Sequence, residues 1–295
     1  MGHDQLFKAL LQGHFREFLQ LFFREVADRL DFRTLRFLDK ELFVDVPDGG
    51  TRVADIVTEI KNLDGEPEVV LVHIEVQARP EREFARRMFE YYTLLRLRRR
   101  RPVFPIVLYL RGGKGLREEE YVESLFEREL SRFRYASVGL AQLKPQEYLE
   151  VNPLGAALAA LMNRSGVGDP LGLRVAMLRE ITEGVVEDAK KFLLVNVVES
   201  YFRLADDDAE RYGHLLMLEG HEEIREMEMT WADEMMEKGR IAEKRSTLLR
   251  LMEAKFGHVS EAIKLRIEAL EVPEELDAYV ERILTASSID AMGLG

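Results

Sequence analysis

The sequence predicts an α/β protein in which helices pack on a mixed sheet, followed by an all-helical C-terminal extension. Three observations predict this. Within 51–78 and 103–110, apolar side chains either repeat at every second position or form short unbroken runs, as strands require. Around 6–26 and 84–95 they repeat at helical spacing instead. From about residue 150 onward the pattern is helical throughout.

Residues 4–30 carry Leu6, Leu10, Phe15, Phe18, Leu19, Phe22, Phe23 and Val26 at helical spacing, which predicts a helix. "TLRFLDKELFVDVP" alternates less cleanly and runs into "DGG", a turn signal. "TRVADIVTEIK" predicts a strand, "NLDGEPE" a turn and "VLVHIEVQA" a further strand, so these segments form a hairpin or meander. The period then changes: Phe84, Met88, Tyr91 and Leu95 make one helical stripe, and the helix ends near Pro102 because proline disfavours helix in the residue before it. "VFPIVLYLRGG" is a buried strand closed by glycines. A helix, then three strands, a helix and another strand give a mixed sheet with helices on it.

Past residue 150, "LGAALAALM", "LGLRVAMLREI", "AKKFLLVNVVESYFRL" and the acidic "EGHEEIREMEMTWADEMMEKGR" predict helices, with a break at "SGVGDP". The stretch from "TLLRLMEAKFG" to "ERIL" predicts two or three short helices with a small apolar face. The chain therefore divides into a sheet domain over 1–150, a helical segment over 151–220 that packs on or extends it, and a C-terminal helical module over 221–295.

A chain of 295 residues suits two modest domains, or one domain with a helical extension. With 46% hydrophobic and 33% charged residues its composition is that of a soluble globular protein. It has no cysteine, which removes disulfides, thiolate metal sites and cysteine nucleophiles together. The opening "MGHDQLFKALLQGHF" lacks the apolar run of a signal peptide, and no later run reaches the length of a membrane span. The expectation is a cytoplasmic protein with no membrane partner.

The net charge of −12 is unevenly placed: residues 1–150 hold 25 Lys+Arg and 26 Asp+Glu, the remainder 17 and 28. Within the neutral first half, Arg79, Arg82, Arg86 and Arg87 follow the "VLVHIEVQA" strand, and Arg96 and Arg98 to Arg101 come soon after. Such a patch can bind phosphate.

On a strand, residues two apart share a face, so Glu75 and Gln77 project together while Val72, Ile74 and Val76 lie opposite. If the preceding strand pairs across "NLDGEPE", Asp55 comes to sit beside Glu75. Neighbouring carboxylates repel unless a cation lies between them. Asp55 and Glu75 are thus candidate ligands for Mg²⁺, or Mn²⁺, and Gln77 a candidate to orient a water or a phosphate. The plainer account of the three is a polar, solvent-facing side of a hairpin.

"HDQLFKALL", "FLDKEL", "RVADIV", "HIEVQA", "FARRMFEYY" and "FPIVLYLRGGKG", in that order, resemble the Rpn family of recombination-promoting nucleases, also described as PD-(D/E)XK nuclease family putative transposases. The resemblance runs through roughly residues 3–115, and the last helices are similar to modules appended in such proteins. It implies a restriction-endonuclease-like core and metal-dependent cleavage of DNA in recombination. It implies further that the catalytic residues are Asp55, Glu75 and Gln77. The broader superfamily has lysine where Gln77 stands and proline where Ala54 stands. Asp39 and Glu41 in "LDKEL" are further candidate acids, and His73 shares the face of Glu75, either as a neighbour of the metal or as a satisfied half-buried histidine.

Arg86 and Arg87 are candidate DNA contacts, because guanidinium suits phosphate oxygens; the alternative is a solvated helix face. The run Arg98–Arg101 reads better as a cationic helix end. The aromatics Phe84, Phe89, Tyr91 and Tyr92 read as core, and "RGGKG" at 111–115 as a turn, because it lacks the phosphate-loop pattern. Asp4 and Lys8 are one helical turn apart and suit a surface pair. Two functions fit: a Mg²⁺-dependent DNA endonuclease, and a binding or assembly module on a degenerate nuclease fold with the acidic helical half mediating association. A double-strand cut would favour a homo-oligomer, in the simplest case a dimer.

Overall fold

The computed structural model describes residues 3–38, 55–63 and 69–294, which fall into two compact units, 1–224 and 225–295. The first unit opens with three short helices, α1 (His3–Gly13), α2 (Phe15–Phe22) and α3 (Arg24–Ala27), where the periodicity predicts one. The buried residues of α2, Phe15, Phe18, Leu19 and Phe22, belong to the apolar repeat seen in the sequence. The breaks come at His14 and Phe23, both in non-helical backbone. A period shared by successive helices does not reveal such breaks.

Six strands follow in one sheet: β1 (Leu30–Phe37), β2 (Ile56–Asn62), β3 (Val69–Gln77), β4 (Val103–Tyr109), β5 (Leu116–Leu125) and β6 (Arg128–Gly139), in the order β1-β2-β3-β4-β6-β5. The fold is mixed α/β, as expected. β1, β2 and β3 are antiparallel neighbours, β3, β4 and β6 run parallel, and β5 returns antiparallel on β6. Helix α4 (Phe84–Arg99) makes the crossover from β3 to β4, as a parallel pair requires. Its buried residues are Phe84, Met88, Tyr91 and Leu95, the stripe visible in the sequence, and it ends at Arg100 in the left-handed conformation.

Two features depart from expectation. The first strand begins at Leu30, inside the stretch predicted as helix, and the segment containing "FVDV" lies outside the described residues. The β5–β6 hairpin is not anticipated at all, because β5 is mostly exposed and its "REEE" run hides the alternation.

After the sheet come α5 (Pro153–Leu158), α6 (Pro170–Glu183), α7 (Asp188–Tyr201) and α8 (Asp206–Leu216). Two of these start on the same device. Asn152 Oδ1 accepts the Gly155 N–H at 2.9 Å and Asp169 Oδ1 accepts the Gly172 N–H at 2.9 Å, each followed by proline at the first helical position. The sequence break at "SGVGDP" is therefore a helix start. Helix α9 (Glu222–Phe256) is one continuous helix of 35 residues, reaching into the second unit, where α10 (Glu261–Glu268) and α11 (Pro273–Thr285) follow. That unit has its own core of Leu248, Met252, Val259, Ile267, Leu276 and Ile283, with Met292 and Leu294 from the chain end.

Among the described residues no helix is long and apolar enough to cross a membrane.

Candidate active site

β2 and β3 pair antiparallel with Ile56 opposite Ile74, and that register sets Asp55 beside Glu75. The two residues are joined in both directions. The Asp55 N–H donates to Glu75 Oε1 at 3.0 Å, and Asp55 Oδ2 accepts the Val76 N–H at 2.8 Å. A carboxylate bonded to the neighbouring strand's backbone has little rotational freedom, so the pair is held in place.

Glu75 does not face solvent, and Gln77 is half-buried. Helix α4 lies on their side of the sheet: Leu95 packs on Val57 and Leu71, and Phe84 and Met88 pack on Val107 and Tyr109. The expected polar outer face is a correction, because a strand between two others with a crossover helix above it is covered on both sides. Glu75 is 3% exposed and His73 is fully buried, not half-buried. His73 Nε2 lies 2.8 Å from Glu75 Oε1, as an N–H donor does, and the ring meets Tyr91 of α4 edge-on at 5.5 Å.

Lys8 of α1 contributes the group that the sequence did not point to. Its ammonium lies 2.8 Å from Asp55 Oδ1, with the lysine side chain 19% and the aspartate side chain 10% exposed. The Asp4–Lys8 pair that spacing suggests lies outside what is described, because the Asp4 side chain is not among the described ones, and no local signal could have linked Lys8 to Asp55, which is far along the chain. Burial and then the adjacent Glu75 charge push the Asp55 carboxyl above its ordinary value, while Lys8 and the Val76 N–H pull it back down. Two acids thus share one end of the sheet, with an ammonium beside one of them.

At the end of β3, Gln77 Oε1 accepts from the Arg87 guanidinium at 3.1 Å, and the same guanidinium reaches Glu81 Oε2 at 3.1 Å and lies 5.1 Å from the centre of the Phe84 ring. Arg87 therefore stands at the site. Arg86 points away, paired with Glu90 one turn on at 3.1 Å on the exposed side of α4. Arg99, from the basic helix end, lies 3.7 Å from Glu59. Asp39 and Glu41 fall outside the described residues.

Among the described residues no group of three or more His, Asp or Glu is placed to hold a metal. A pair of carboxylates nevertheless fits Mg²⁺ or Mn²⁺, which take one or two protein carboxylates and complete their shell with water and phosphate. Burial first and the Glu75 charge second raise the proton affinity of Asp55, and a cation between the two carboxylates would offset that repulsion. Comparison with family models, with curated proteins and with solved structures finds no match.

Proposed function

We propose that the chain is a metal-dependent DNA endonuclease with a restriction-endonuclease-like core, as its resemblance to the Rpn recombination-promoting nucleases implies. One observation carries this reading. Asp55, half-buried, and Glu75, buried, converge through hydrogen bonds at the carboxyl end of β3, where it runs parallel to β4. That end of an open α/β sheet is where ligands bind.

Asp55 and Glu75 are the residues that would hold Mg²⁺ or Mn²⁺. The chemistry such an ion supplies is Lewis acidity toward a phosphodiester and a lowered pKa for water. His73 fixes the Glu75 carboxylate by its Nε2–H. Lys8 brings the positive charge that Gln77, standing in place of the superfamily lysine, lacks. Gln77 aims the Arg87 guanidinium, a planar donor suited to phosphate oxygens.

The test is plasmid nicking by the purified chain with Mg²⁺ or Mn²⁺. Wild type is expected to nick, and Asp55→Ala and Glu75→Ala are expected not to while keeping the native circular dichroism spectrum. Absence of nicking by wild type with either ion defeats the catalytic reading. A second reading, a binding or assembly module on the same fold, is favoured by the internal partners that Asp55, Glu75 and Gln77 already have. Titration calorimetry separates the two: Mg²⁺ binding lost in Glu75→Ala supports the enzyme, and no binding by wild type supports the module.

A further inference from the structure

Beside the carboxyl ends of the parallel strands lies a cleft of about 270 Å³, lined by Glu81, Phe84, Tyr109, Lys114, Glu119 and Tyr135 among others. It adjoins Gln77, two residues along β3 from Glu75. Tyr109 is the β4 neighbour of Gln77, and Arg87, which bonds Gln77, also bonds Glu81 and covers Phe84 in the cleft wall.

The polar groups of this cleft are set by the core behind it. Tyr109 and Tyr135 line the cleft but are only 2% and 3% exposed. The Tyr135 hydroxyl donates to Glu119 Oε2 at 3.2 Å. Burial first, then neighbours including Glu119, push both phenols above their ordinary value, so both remain O–H donors. The "RGGKG" loop closes one side. Gly113 has φ of 74°, and a Cβ there would meet Gly139 Cα at 2.9 Å and the Tyr109 ring at 3.0 Å. Only glycine lets this loop lie so close to the strand ends and bring Lys114 to the rim.

The geometry points to this cleft as a subsite for one unpaired, amino-bearing nucleobase whose own phosphate lies against Arg87, an inference that rests on the nuclease reading above. Glu81 and Glu119 can accept from the exocyclic amine of cytosine or adenine, with Glu119 held by the Tyr135 hydroxyl, while Lys114 can donate to ring nitrogen or carbonyl. Thymine would turn carbonyls toward those carboxylates. The volume is just below the usual range for small-molecule pockets, which leaves room for a base and none for a duplex. A base reaches such a site only when unstacked, so the substrate is single-stranded or locally opened DNA.

The experiment measures, by fluorescence anisotropy at neutral pH, binding of the full chain to dC and dT homopolymers of equal length. These carry the same phosphates and differ only at the base edge. Wild type is expected to hold dC about tenfold tighter, the scale of one good base contact. Glu119→Gln should erase that preference, and Tyr135→Phe, which removes only a hydroxyl, should narrow it. Equal binding of the two strands by wild type, or an unchanged preference in both variants, overturns the proposal. Plasmid nicking by the same preparation keeps the two ideas apart. Nicking with equal binding removes the base subsite alone, whereas a dC preference without nicking supports the subsite and removes the nuclease.

Discussion

The Lys8 ammonium lies 2.8 Å from Asp55 Oδ1, so a residue of the first helix sets the charge environment of an acid at the start of β2. Because Lys8 lowers the Asp55 pKa, replacing it raises that pKa further. On the nuclease reading, Lys8→Met is expected to move the acid limb of the nicking rate to higher pH, with the greatest loss at low pH and only partial recovery as pH rises, because the positive charge is missing at every pH. Lys8→Arg should keep the wild-type profile. An acid limb that does not move in Lys8→Met would show that the ion pair leaves Asp55 unaffected.

Asp55→Asn should separate stability from activity. A carboxyl whose folded pKa is raised binds more protons folded than unfolded, so stability falls as pH rises from the unfolded value through the folded one. Above that window wild type carries the full penalty, and the neutral amide does not. Asp55→Asn is expected to be more stable by about 0.5–2 kcal/mol at neutral pH, with the advantage shrinking in acid, and to lose cleavage. Thermal unfolding across pH measures this, and a lower Tm than wild type at neutral pH would contradict it.

His73→Phe keeps a ring against Tyr91 but leaves the buried Glu75 Oε1 without its side-chain donor. The expected cost is about 1–3 kcal/mol in urea unfolding, together with loss of nicking. His73→Gln, which retains an N–H donor, should recover part of both. Equal loss in the two variants would mean that packing, and not the hydrogen bond, is what His73 provides.

Gly113→Ala forces a side chain onto backbone with φ of 74° and into Gly139. More than about 1 kcal/mol of destabilisation is expected. The matching change at Gly166, whose φ is 86° but whose Cβ would meet nothing, should cost only the conformational strain. Denaturant midpoints of the two variants test the difference, and equal midpoints would remove the role of close approach in the cleft wall.

Much of this architecture is legible along the chain. The period-two run places β3, the unbroken apolar run places β4, and the stripe Phe84, Met88, Tyr91, Leu95 names the buried side of α4. Hydrophobic spacing reports which side of an element is covered. It does not report where one helix stops and the next begins, which is why α1, α2 and α3 read as one. It fails too for β5, whose exposed charges do not alternate with a core.

By itself the sequence determined that Glu75 and Gln77 share a strand face, because the pleat places residues two apart on the same side. It also set the order β2, β3, α4, β4 and confined the acidity to the second half. Only the tertiary structure decided that this face lies beneath α4, that Lys8 reaches Asp55, and that His73 and Arg87 each bond one member of the Glu-x-Gln pair. Apart from the His73–Glu75 bond within β3, such contacts join residues that chain spacing does not relate; they arise when separate elements close over a common core, and the charge state of Asp55 depends on that closure.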